Sequence, residues 1–271
     1  MKKSLMAGVA LMAVVTGPAM AADLPVKAPR MVVEESFSWS RCYVGAHVGY
    51  GWGRNKNDFG NAVRSGPTEE LAPAFDFEFG PFNHNTTGGV FGGQIGCNYQ
   101  FANSWLIGIE GEVWWSGMKG SFTAPEDGPD PGRFTRFESR NRWDGDIAVR
   151  LGYVWNRHLL YAKAGVALGN FNYIETHDDF PTTHACPGGN ECSVSLNKTV
   201  PGLLLGAGWE YALSNNWSVK AEYNYVNYAS HNLAYPSAAA TIQSFAVHDT
   251  KHIVKVGVNY LFGDAPVRAA Y

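Results

Sequence analysis

In eight stretches of this chain, apolar and polar residues trade places at every second position. That spacing sends successive side chains to opposite faces of a β-strand. Residues 217–226, "WSVKAEYNYV", are typical: Trp217, Val219, Ala221, Tyr223 and Tyr225 share one face, and Ser218, Lys220, Glu222 and Asn224 share the other. The same alternation runs through 42–52, 90–101, 105–115, 142–155, 160–170, 200–211 and 251–262. Eight is an even number of strands, as an antiparallel ring in an outer membrane requires.

The connections between these segments also alternate. "FANSW", "WNRHL" and "LSNNW" are tight turns built on Asn and Ser, residues whose short polar side chains satisfy local backbone groups. The other four connections, roughly 53–88, 117–141, 172–199 and 228–250, are long and read as loops. A soluble sandwich has no reason to sort its connections this way. A membrane barrel does, with tight turns on the periplasmic side and long loops outside. "YQFANSW" and "EYALSNNW" both put an aromatic before the turn and Trp after it. Tyr99, Trp105, Trp155, Tyr211 and Trp217 therefore gather at one end of the strands, as an aromatic girdle at a bilayer interface.

The polar stripe tells which face is which. A water-facing stripe tolerates crowded charge, whereas this one is rich in Gly, with single ionisable groups set among small residues. That composition suits the interior of an eight-stranded barrel, which is just wide enough for side chains to fill. The apolar stripe then faces lipid. The expected fold is all-β: an eight-stranded antiparallel transmembrane β-barrel with short periplasmic turns and four long extracellular loops.

The interior stripe carries six acids, Glu110, Glu112, Asp144, Asp146, Glu210 and Glu222. Five bases stand against them: Arg150, Lys163, Lys220, Lys251 and Lys255. Near-balance predicts a network of paired charges that plugs the lumen, because an unpaired buried charge is costly. Glu110 and Glu112 lie ~7 Å apart on one strand face, and partnership with Arg150 and the lysines accounts for them better than paired acid/base catalysis. His248 and His252 are too far apart on an extended strand (~13 Å) to share a metal. His84, His177 and His184, with Asp178 and Asp179, fall in outer loops and read as solvated residues rather than ligands of haem iron or a divalent metal. "GGVFGG" resembles a phosphate loop only loosely, and no helix follows it.

Residues 1–21 carry Lys2 and Lys3, an apolar run and a terminal "AMA", the pattern of a secretory signal peptide. Its apolar run is about half of the ~20 residues a helical span needs. Removing it takes two lysines from the 21 basic residues and leaves 19 against 24 acidic ones, a net charge of −5. That balance gives no reason to expect nucleic acid as a partner. Residues 22–40 read as an extended periplasmic tail, 41–262 as the barrel and 263–271 as a C-terminal extension. Cys186 and Cys192 flank "PGGNE" and are candidates for a disulfide in an oxidising compartment. Cys42 and Cys97 lie on strands, and pairing and remaining free are both open to them.

"CYVGAHVGYGWG", "GGVFGGQIGCNYQ", "RLGYVWNRHLLYAKAGVALG", "NWSVKAEYNYV" and "HIVKVGVNYLFG" resemble the porin-like outer-membrane protein family related to the OmpA transmembrane barrel. That group includes small surface immunogens and haem-binding outer-membrane proteins of Gram-negative bacteria. The similarity covers every strand from about residue 41 to 262 and the "ADLPVKAP" that precedes them. It implies a cell outer membrane location, a role in envelope integrity and loops presented to a host or the environment. The implied partners are outer-membrane lipid and lipopolysaccharide, the barrel assembly machinery, and a host or environmental ligand at the loops. Oligomeric state is not legible. Some relatives bind haem, but no matching ligand motif carries over, so no cofactor and no catalytic residue is assigned. Barrels of this class end on an aromatic residue, and both Phe262 and Tyr271 are open for that role. The rival functions are a narrow porin for small polar solutes, a surface haem-binding protein or adhesin, a lipid-modifying enzyme, and a soluble secreted ligand-binding β-barrel. Membrane-extracted protein run with and without boiling tests the barrel: a compact form that shifts on heating is expected, and soluble material of one mobility would exclude it.

Overall fold

A computed structural model describes residues 37–65, 82–125, 134–178, 191–236 and 242–263. Ten β-strands build a single ring: β1 Cys42–Ser65, β2 Phe82–Gln100, β3 Trp105–Ser116, β4 Lys119–Pro125, β5 Phe134–Trp155, β6 His158–Asp178, β7 Glu191–Ala212, β8 Trp217–Tyr228, β9 His231–Pro236 and β10 Ile242–Phe262. β4 continues the line of β3 along β5, and β9 continues the line of β8 along β10. The ring therefore has eight antiparallel staves. It closes where β1 pairs with β10 on one side and β2 on the other.

The three tight turns are tied into the ring. Ser104 and Asn156 take positive φ, 69° and 52°, the left-handed region that short polar residues enter at turns. A carbonyl from each turn accepts a backbone hydrogen bond from the neighbouring stave: Ser104 from Val154, Arg157 from Ala212 and Asn216 from Leu261.

From the turns upward, the outward face is apolar. Val48, Ile147 and Leu203 are 60, 61 and 67 % exposed, which is untenable in water at this density and natural in hydrocarbon. Trp105 packs edge-on against Tyr153 and Trp217 against Tyr260, while Tyr211 lies against His158. A second aromatic belt, at the other end of the apolar band, comprises Trp52, Trp115, Trp143, Tyr223, Tyr225 and His252. There His252 stacks on Trp52 at 5.7 Å and meets the Tyr223 hydroxyl at 2.6 Å. About ten residues separate the belts along a strand. At ~3.3 Å per residue and a tilt of about 40°, that gives ~25 Å, the height of an outer-membrane apolar band.

Above the second belt the polarity inverts. The strands run on as a crown whose outward residues are Asn83, Asn85, Thr123 and Arg136, and whose inward ones are Phe82, Phe137, Phe171, Tyr173, Leu233 and Val247. Phe82 stacks on Phe122 at 4.4 Å and meets Phe137 at 4.9 Å. This corrects the reading of 53–88, 117–141, 172–199 and 228–250 as loops throughout. Much of each is strand, because outside the bilayer an extended stave buries its apolar side inward and shows a polar side to water. Cys42 and Cys97 lie directly opposite each other on β1 and β2 and form a disulfide. The Cys186–Cys192 pairing, the signal peptide, most of the N-terminal tail, His184, Asp179 and Tyr271 lie outside the described residues.

Candidate functional site

The interior of the ring is where the chemistry concentrates. All eleven ionisable residues of the polar stripe are buried there: Glu110 and Glu112 from β3, Asp144, Asp146 and Arg150 from β5, Lys163 from β6, Glu210 from β7, Lys220 and Glu222 from β8, and Lys251 and Lys255 from β10. The strand period alone brings them together, since each sits at an inward position of its stave.

Three lysines and three glutamates form the centre. Lys163 reaches Glu112 and Glu222 at 2.9 Å and Glu110 at 3.2 Å. Lys220 touches Glu110 at 3.2 Å, Glu112 at 2.9 Å and Glu222 at 3.5 Å. Lys255 binds Glu112 and, at 3.1 Å, Glu222. The oxygens of Glu110, Glu112 and Glu222 lie within 4.8 Å of one another, a spacing that suits a metal ion. Three ammonium groups supply the positive charge there instead, so this donor set does not fit a resident cation.

Below the centre, Arg150 joins Glu210 at 3.0 Å and Glu110 at 3.5 Å, with the Tyr43 hydroxyl accepting from its guanidinium. Tyr43 in turn donates to Glu110 at 2.7 Å, and Tyr161 donates to Glu222 at 2.6 Å. The guanidinium lies 3.8 Å from the Tyr161 ring centre, a stacking that a planar cation permits. A Cβ on Gly96 would stand 2.4 Å from the Tyr43 hydroxyl, and one on Gly208 would stand 2.4 Å from the Tyr161 ring. Glycine at those two places makes room for the tyrosines. A polar relay, His47 to Gln94 to Asn259 to Glu210, continues the network at 2.6, 2.8 and 2.7 Å.

Above the centre, Lys251 and Asp144 pair at 2.6 Å, and the Tyr228 hydroxyl also donates to Asp144 at 2.6 Å. Lys255 sits 4.7 Å from the Trp114 ring, and Lys251 sits 4.4 Å from the Phe171 ring. Asp146 is buried beside Glu112, its partner across the strands, and neither of its oxygens has a hydrogen-bond donor among the described residues.

Sequence reasoning missed part of the uncharged half of this network. Tyr161 falls on the polar stripe beside Lys163, as the alternation places it; Tyr43, Trp114 and Tyr228 share the same parity, and that parity is the available signal. It is masked for those three because an aromatic on such a strand also fits a girdle at the bilayer interface.

Apolar clusters lie at both ends of the lumen. Trp39, Tyr43, Leu106, Val154, Leu159, Tyr161, Ala212 and Leu261 pack together at the turn end, with Phe37 against them. The crown cluster lies at the other end.

The crown also corrects His84, which is buried rather than solvated; its Nε2 lies 2.6 Å from the Ser139 hydroxyl. Burial pushes this imidazole below its ordinary value, against the opposing pull of Asp249. No described group hydrogen-bonds His84 Nδ1. Asp249 is instead engaged by Asn55 at 2.8 Å and Tyr173 at 2.6 Å. A hydroxyl–imidazole contact without an orienting carboxylate, on a buried serine, lacks the parts of a nucleophilic triad. His177 and Asp178 lie at the end of β6. His248 and His252 lie outward on β10, and His248 meets the Ser230 hydroxyl at 3.2 Å.

An eight-stave ring with a lipid-compatible waist, two aromatic belts and an ionic interior defines an integral outer-membrane β-barrel protein. The family model for the outer membrane protein beta-barrel domain matches residues 7–262. The chain belongs to that family, and its location is the cell outer membrane. It is 32 % identical over 269 residues to the 31 kDa outer-membrane immunogenic protein of Brucella melitensis biotype 1, covering 97 % of this chain and all of that one. It is 27 % identical to the 22 kDa outer membrane protein of Rhizobium leguminosarum bv. viciae, covering 71 % of this chain and 76 % of that one. Among solved structures it is similar to the outer membrane protein OprG of Pseudomonas aeruginosa, with a TM-score of 0.45 and 12 % identity over 83 % of this chain and 97 % of that one.

Removing one partner from a buried ion cluster strands the others. Glu112→Gln, which leaves Lys163, Lys220 and Lys255 short of a carboxylate, is expected to cost about 3–5 kcal/mol in urea unfolding from lipid vesicles. Glu138→Gln, on an exposed pair, is expected to cost less than about 1 kcal/mol.

Proposed function

We propose that this protein is a closed, non-catalytic surface barrel. It supports the integrity of the outer membrane and presents its crown and extracellular loops to a host or the environment. The observation that carries this reading is the filling of the barrel axis. An apolar layer at the turn end, a cross-linked ionic layer in the middle and an aromatic layer in the crown follow one another with side chains interlocked.

A water-filled path would have to part buried lysine–glutamate pairs that each serve several partners. An eight-stranded ring is too narrow to leave room beside them. The printed names of the Brucella relatives, outer-membrane immunogenic proteins, fit a chain whose exposed parts meet the outside. The incomplete Ser139–His84 contact speaks for a structural role over an enzymatic one. The interior network then serves as scaffold: it holds eight staves in register so that the crown stays fixed. Outer-membrane lipid and the barrel assembly machinery are the partners this role needs.

Planar-bilayer recordings of the folded full-length chain test the reading. No sustained current steps are expected; reproducible ion-selective steps would overturn the closed barrel and favour a narrow porin.

A further inference from the structure

Above the second aromatic belt, the joint between β7 and the stave made of β8 and β9 comes open. Its ladder ends at Gly202 and Tyr228, followed by a backbone hydrogen bond from Ala229 to the Pro201 carbonyl at 2.8 Å. Higher up, among the described residues, β7 pairs with β6 alone and β9 with β10 alone. A slip in register is the cause. Between Asn227 and His231 the chain takes four steps while its partner β10 takes three, from Thr250 to Val247. The extra residue leaves Leu233 turned inward and Asn232 outward. Continued register would set Asn232 against Lys198, which shares the inward side of Val200. Residues opposed across a ladder share a face, so this ladder stops.

Three features of the gap point to an occupant. The Pro201 carbonyl turns toward the gap side, and successive residues of a strand turn their backbone groups to opposite edges. Ser195, Asn197 and Thr199 therefore present their N–H and C=O groups to the gap. Folded proteins guard such an edge with charge, proline or a bulge, yet the outward residues here, Ser193, Ser195, Asn197 and Thr199, are neutral. Beneath the edge the crown core is incomplete: Val194 and Leu196 point inward and pack against the cluster that holds Leu233, but are only partly buried. At the foot of the gap stands Lys198, an inward cation whose ammonium is held by a neutral group, the Asn232 carbonyl, at 2.6 Å. An added strand answers all three, with main-chain hydrogen bonds to β7, apolar side chains over Val194 and Leu196, and a carboxylate beside Lys198. A second copy standing upright in the same bilayer cannot supply it through its own β7 edge. Its inward face would be turned the opposite way, laying polar residues over Val194 and Leu196.

We propose that the gap between β7 and β9 takes up an extended segment of a foreign protein outside the cell, by strand addition to the 193–199 edge of β7. Run antiparallel to β7, the segment is acidic opposite Lys198 and apolar opposite Leu196 and Val194. The proposal rests on the reading of the crown as the face presented to the outside. It does not depend on the closed lumen, so currents in planar bilayers would leave it standing.

The test measures, by fluorescence anisotropy, a labelled peptide binding to the full-length chain folded in phosphatidylcholine nanodiscs. The peptide alternates threonine with glutamate, valine and valine, in that order. Saturable binding is expected, and Ser195→Pro, which removes an N–H from the open edge and none from the β6 ladder, is expected to weaken it about tenfold. Methylating the peptide nitrogens that face β7 is expected to abolish it. Exchanging the peptide's glutamate for glutamine is expected to cost about threefold with the wild type and nothing with Lys198→Gln. That comparison carries the test should Ser195→Pro lose the compact heat-shifted form. No saturable binding, or binding indifferent to nitrogen methylation and to the glutamate, would overturn the site. Wild-type dimers that form without peptide and that Ser195→Pro disperses would also overturn it, and would make the gap a contact between copies.

Discussion

Hydrocarbon offers no hydrogen bonds, and the rest of this molecule follows from that. A chain that crosses a bilayer as strands must close its sheet so that every backbone group finds a partner within the ring. Once closed, each stave has two faces in different surroundings, and the period of two sorts the residues between them. At the waist the outer face meets lipid, so residues such as Val48, Ile147 and Leu203 go out and the charges go in. In the crown the outer face meets water, and Phe82, Phe137 and Phe171 go in. The same strands obey both rules because their sequence changes sides at Trp52, Trp115 and Trp143.

Turning charge inward creates a second problem, the cost of taking it out of water. The interior answers by sharing. Each of Lys163 and Lys220 meets three carboxylates, and Arg150 is satisfied by two carboxylates, a tyrosine hydroxyl and a tyrosine ring. A network of this kind adds little over a well-packed apolar core in stability, yet losing one member is costly. It ties β3, β5, β6, β7, β8 and β10 together across the axis, and the β1 tyrosine Tyr43 joins them through Glu110. The disulfide between Cys42 and Cys97 holds β1 to β2 from the outer face.

Much of this could be read from the chain. Alternation gave the waist of all eight staves, and the Gly-rich polar stripe named the eleven interior charges because glycine and charge seldom share a water-facing strand. What escaped was the crown. Asn83, His84 and Asn85 look like loop sequence, since an apolar outward face is what distinguishes a membrane strand, and above the membrane that face is polar. His84 was misplaced for this reason. Tyr43 escaped for a related one: an aromatic on an outer-membrane strand is expected at the interface, yet Tyr43 points inward opposite Gly96, which leaves it space.

A spin-label scan along the outward positions of β5 tests the change of sides most directly. Labels replacing Ile147, Val149 and Leu151 are predicted to collide with dissolved oxygen and to be shielded from a water-soluble nickel chelate. Labels replacing Arg136 and Arg140 are predicted to show the reverse, with the crossover at Trp143. Chelate access at Val149, or the same lipid-like response along the whole strand, would contradict the account.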